Sequence, residues 1–168
     1  TTITPLFNTV QLKTSVPLSA NIVYTITASN IKDCKNNSIG TVNKAKVGLP
    51  VDAVAGDWII NEILFNPKSN GYDYVEFYNN SNKIFDAAKL YIANRNTSGV
   101  VSSIKVLSAI PCYVFPGDYI VAAEDADNLA LNYLVKNSDN VFIISSMPSF
   151  SDDEGDVIAL NFQGNVVD

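Results

Sequence analysis

The chain has 168 residues, of which 47% are hydrophobic and 17% charged, with a net charge of −6 at pH 7 and a pI near 4.5. Such a chain can bury a core and is not intrinsically disordered. Its negative charge repels a phosphate backbone, so nucleic acid is not expected as a partner. No basic amphipathic helix and no apolar run of spanning length points to membrane insertion. The sequence holds no histidine. That removes Ser-His and Cys-His nucleophiles, His-ligated zinc and the usual general base near neutral pH.

Residues 1–50 read as a partial unit. Val10 and Leu12 alternate with polar residues, and Ile22, Tyr24, Ile26 and Ala28 alternate as a half-buried strand. Ser29 to Gly40 is turn-rich, and Thr41 to Leu49 is a further extended run. Tyr24, Ile26, Ala28, Ile31, Asp33 and Asn37 take the places of the closing strand and turn of a bacterial immunoglobulin-like domain, which this stretch resembles. About three strands are too few for such a sandwich, which has roughly seven. The segment is therefore expected to pack on the sandwich after Gly56, or to pair with another chain, through Ile22, Tyr24, Ile26 and Val47. The chain begins at Thr1 and its only methionine is Met147, the pattern expected of an excised internal piece.

Residues 51–56, VDAVAG, read as a linker, and 57–168 as the main sandwich. Asp57 to Phe65 is a buried, β-prone run that Asn66-Pro67 stops, since proline cannot donate to a ladder. Tyr72 to Tyr78 alternates, with Val75 and Phe77 on one face and Tyr74, Glu76 and Tyr78 on the other. Ile60-Asn61-Glu62-Ile63, Asn66-Pro67 and the run Asp73-Tyr74-Val75-Glu76-Phe77-Tyr78-Asn79 match, in order and spacing, the opening strands of a bacterial lamin tail domain. The resemblance implies an all-β, immunoglobulin-like sandwich that serves as a module and not as a catalyst.

Further along, Lys89 to Asn94 and Val100 to Leu107 read as strands, and Pro116-Gly117 as a turn before a strong strand ending at Ala123. Glu124 to Val135 is the one short helix expected, capped by Asp125 or Asp127 and packed through Leu129, Leu131 and Leu134. Val141 to Ser145 and Val157 to Phe162 are the last strands. The usual closing strands of the family are missing after them, so the strand at 157–162 is expected at an open edge or as the acceptor of a foreign strand.

Four groups of residues carry candidate chemistry. Glu62 and Glu76 on neighbouring strands either form a carboxylate pair for glycosidic cleavage or face water and pair with lysine. Tyr72, Tyr74 and Tyr78 form either an aromatic strip for a sugar or protein partner or ordinary outward-facing strand residues. Asp152, Asp153, Glu154 and Asp156 in the SDDEGD loop are either calcium ligands or a solvated turn, and Asp33 with Asn36 and Asn37 is a weaker version of the same idea. Cys34 and Cys112 are either bridged, as export favours, or two buried thiols. Apart from calcium, no cofactor is expected.

The expectation is therefore a non-catalytic structural, adhesion or docking module of a large exported bacterial protein. Its partners would be other domains of the parent or a protein or glycan at the cell surface. The alternatives are an accessory module of an extracellular hydrolase or nuclease, with its active site outside this chain, and a carbohydrate-binding module.

Overall fold

A computed structural model describes residues 10–150 and 156–168. The fold is an all-β sandwich. Strands β1 (Tyr24–Thr27) and β2 (Lys44–Val47) form an antiparallel hairpin. The next strands are β3 (Trp58–Leu64), β4 (Tyr74–Asn79), β5 (Phe85–Asp86), β6 (Leu90–Arg95), β7 (Val101–Val106) and β8 (Tyr113–Val114). β9 (Tyr119–Ala123), helix α1 (Ala126–Asn132), β10 (Val141–Ile143) and β11 (Val157–Asn161) complete the order. One sheet runs β10-β9-β4-β3 and a second β11-β6-β7, while β5 and β8 form a small pair of their own.

The two sheets share one core. Val75, Phe77, Ile120 and Ala122 from the first sheet meet Leu90, Ile92 and Ala159 from the second, with Trp58 stacked on Phe77 at 5.2 Å between ring centroids. The alternation legible in β4 is the cause. Val75, Phe77 and Asn79 are buried, while Tyr74, Glu76 and Tyr78 lie on the outer face, half-exposed. Asn79 is polar yet fully buried because every part of its amide is used. Its Nδ2 donates to the Lys83 and Val114 carbonyls, and its Oδ1 accepts from the Ser81 amide and hydroxyl. The backbone of Asn79 also pairs with the 116–118 turn, where Gly117 at φ +80° supplies a conformation that a side chain would strain.

The β1–β2 hairpin meets the sandwich at few points. Gly48 lies so close to Ile84 that a Cβ there would come within 2.1 Å of the Ile84 Cδ1, and within 3.0 Å of the Ile22 carbonyl. The Val51 amide donates to the Ile84 carbonyl at 2.9 Å, and the Lys46 ammonium lies 5.3 Å from the Phe115 ring centroid. The apolar cover expected for the hairpin is incomplete: Tyr24 and Val47 are half-buried, but Ile22 and Ile26 are exposed. Contact runs through the glycine and the chain after it, and the face that carries Ile22 and Ile26 is not laid on the sheet.

Other expectations need correction. Within the helix only Leu129 is buried; Leu131 and Leu134 face solvent. The edge at β11 is not left bare, since the Val167 amide donates to the Ala159 carbonyl and the Ala159 amide to the Asp168 carbonyl. The Asp168 carboxylate accepts from the Ile60 amide at 2.7 Å, which satisfies a donor of β3. The cysteines are neither bridged nor both buried: Cys34 and Cys112 are free. Cys34 stands exposed on a turn that Asp33 organises by accepting from the Lys35 and Asn37 amides and the Asn37 side chain. Cys112 packs half-buried against the main core, where burial and then the nearby Asp86 carboxylate push its thiol pKa up. No helix among the described residues is long and apolar enough to cross a membrane.

Candidate functional site: an acidic, tyrosine-lined cleft

The outer face of the four-stranded sheet floors a cleft of about 680 Å³. Glu62, Tyr74, Glu76, Tyr119 and Val121 line it from the strands, and Leu129 and the segment Tyr133 to Asn137 line it from the connection between β9 and β10. The registers explain the floor. Glu76 lies opposite Val121, and Val121 opposite Val141, so one row of side chains crosses β4, β9 and β10.

Glu62 joins that row through an irregularity. Ile60 pairs with Phe77 and Glu62 with Glu76, so Asn61 is an extra residue on β3 with no partner on β4. Without this bulge Asn61 would oppose Glu76, and Glu62 would turn to the face that carries Val75. The bulge therefore sets two carboxylates directly across from each other. Like charges in that arrangement destabilise a strand pair. Donors hold both in place: the Tyr74 hydroxyl donates to Glu62 Oε1 at 2.5 Å, and the Asn61 amide donates to Glu76 Oε1 at 2.7 Å. Burial, and then the bond to Glu62 and the nearby carboxylates, push the Tyr74 pKa well above the usual phenol range.

The opposite wall is anchored at both ends. Asp125 caps α1 by accepting from the Asn128 amide, and Asn128 Nδ2 donates to the Asn70 carbonyl in the β3–β4 loop at 2.7 Å. Asn140 Nδ2 donates to the Tyr119 carbonyl at 2.8 Å. Tyr133 meets the Tyr74 ring edge-on at 5.6 Å, and the Lys68 ammonium stands 5.5 Å from the Tyr133 ring centroid. Leu134, 86% exposed, forms an apolar rim. Three acidic residues (Glu62, Glu76 and Asp118) and one basic residue (Lys136) are among those lining the cleft.

Of the tyrosines singled out in the sequence, Tyr74 lies in the cleft and Tyr78 packs at a tilt against the cleft residue Tyr119, with ring centroids 4.6 Å apart. Tyr72 is exposed and is not among the lining residues. The strip is thus a cleft, completed by Tyr119 and Tyr133 from distant sequence. Tyr119 follows the Pro116-Gly117-Asp118 turn and Tyr133 ends the helix, and neither position carries a local signal that it faces β4. Glu62 and Glu76 come together as the sequence suggested.

In the acidic loop, Asp152, Asp153 and Glu154 lie outside the described residues, and Asp156 pairs with Arg95 at 3.1 Å. The oxygens of Asp33 are used within their own turn, which accounts for a carboxyl pKa below the usual range, chiefly through the Asn37 side chain. No protein-family model matches the chain, and no curated protein matches it.

Proposed function

We propose that this chain is a non-catalytic docking module of a large exported bacterial protein, and that the cleft on β3, β4 and β9 is where it engages a partner. The observation that carries this reading is the state of the floor carboxylates. Each is fixed by a neutral donor, Glu62 by Tyr74 and Glu76 by Asn61, so both are presented as rigid acceptors. No histidine exists to act as a base, and neither cysteine lines the cleft. The resemblance of Ile60 to Asn79 to the lamin tail pattern agrees with a module of this kind. Two carboxylates are also the machinery of a glycosidase, and this sets the decisive test. Purified chain incubated with glycan, peptide and nucleic-acid substrates is expected to give no product. Turnover that disappears in Glu62→Gln or Glu76→Gln would overturn the reading.

A further inference from the structure

We infer that the cleft seats a basic side chain from an extended segment of a partner protein, with its guanidinium or ammonium group between Glu62 and Glu76. This deepens the docking reading and rests on it. Two carboxylates stand directly opposed across β3 and β4, an arrangement that repels itself. Among the described residues no lysine or arginine pairs with either; the ion pairs join Lys83 to Asp57, Lys89 to Asp52 and Arg95 to Asp156. A cation from outside would relieve the repulsion.

The bulge at Asn61 is what brings Glu62 to this face, and bulges commonly re-aim side chains at sites. The same Asn61 holds Glu76, while Tyr74 holds Glu62, each through Oε1. The Oε2 atoms remain to accept from the planar fork of an arginine, for which bidentate carboxylate pairing is the strongest match.

A basic side chain carries a long apolar stem behind its charge. The cleft offers matching surfaces: carboxylates and the Tyr74 ring on the floor, the Tyr133 ring on the wall, and exposed Leu134 at the rim. The Tyr133 ring already lies beside the Lys68 ammonium, so this wall is compatible with cations. A neutral glycan would use the rings but would leave the opposed charges unrelieved. The net charge of −6 further favours approach of a basic segment.

The test is calorimetric titration of the purified chain with a capped hexapeptide holding two central arginines between glycines. The same peptide with citrulline at both positions, and neutral xylo- and chito-oligosaccharides, serve as comparisons. The arginine peptide is expected to bind at least about tenfold more tightly than the citrulline one. Glu62→Gln/Glu76→Gln should remove that difference, and Leu134→Ser should weaken binding by about two- to fivefold. Should a variant fail to fold, wild type itself suffices: salt at about 1 M, where the screening length is about 3 Å, must weaken the arginine peptide and not the sugars. Equal binding of both peptides, unchanged binding by the double variant, preferential sugar binding, or no binding at all would each overturn the basic-side-chain seat. None of these touches the docking reading, which falls only if the chain turns over a substrate.

Discussion

The β1–β2 hairpin and the β3–β4 pair are built from similar sequence and end in different states. NIVYTITA alternates apolar and polar residues as cleanly as YVEFYN does. In β4 every second side chain is buried, whereas in β1 one residue of four is half-buried and the rest are exposed. Alternation states which side chains share a face; it does not state that another layer covers that face. In β4 that cover comes from the second sheet, through Leu90, Ile92 and Ala159. The hairpin has instead the close approach at Gly48, the chain leading into Val51 and the Lys46 ammonium beside the Phe115 ring.

The largest effect that separates the two regions is expected at Trp58, fully buried and stacked on Phe77. Trp58→Ala should lower stability by about 3–5 kcal/mol. Denaturation is best followed by circular dichroism, because Trp58 is the only tryptophan. Next is Asn79→Ala, which leaves the Lys83 carbonyl and the Ser81 donors without their partner in a buried place; a loss of about 1–3 kcal/mol is expected in the same measurement. Ile26→Ala in the hairpin should change stability by about 0.5 kcal/mol or less. A loss of about 2 kcal/mol or more there would show that the hairpin face is covered after all and would erase the contrast.

The smallest effect sharpens the comparison through two tyrosines. In the hairpin, the Tyr24 oxygen accepts from the Ser19 amide at 3.1 Å, which favours the phenolate and lowers its pKa below 10.0. Tyr74 in the sandwich is raised above 10.0, first by burial and then by donating to Glu62. Absorbance titration should therefore show Tyr24 ionising before Tyr74. The sign for stability is set by the same shift: a raised folded pKa means that unfolded Tyr74 releases its proton first, so its contribution is intact below pH about 10 and declines as pH rises further. Tyr74→Phe should flatten that alkaline decline.

Much of the sandwich was legible in the sequence. The strand at 58–64, the alternation of β4 and the turn at Pro116-Gly117 each follow from a local rule, and the helix cap is Asp125, one of the two candidates the sequence left open. The illegible part depends on partners. The bulge at Asn61 lies in an uninterrupted β-prone run with no glycine to mark it, and only the register against β4 reveals it. The tyrosine strip read along one strand became a cleft because Tyr119 and Tyr133 arrive from elsewhere in the chain. The cysteine alternatives also turned on tertiary placement: Cys34 ended on an exposed turn and Cys112 at the edge of the core. Leu131 and Leu134 read as packing residues from helical spacing, but the helix lays only Leu129 against the sheet.

β10 pairs with β9 in parallel, although the two strands are near in sequence. Parallel neighbours cannot be joined by a tight turn, so a crossover is obligatory. Here the crossover, Glu124 to Asn140, is also the wall of the cleft. The topology thus puts one side of the cleft on a stretch of chain separate from the strands that floor it. Exchanging α1 and the residues after it, with Asn128 and Asn140 retained as anchors, would rewrite one side of the cleft while leaving the floor and the core intact. This gives the scaffold a single replaceable part, open to drift in nature and to grafting at the bench.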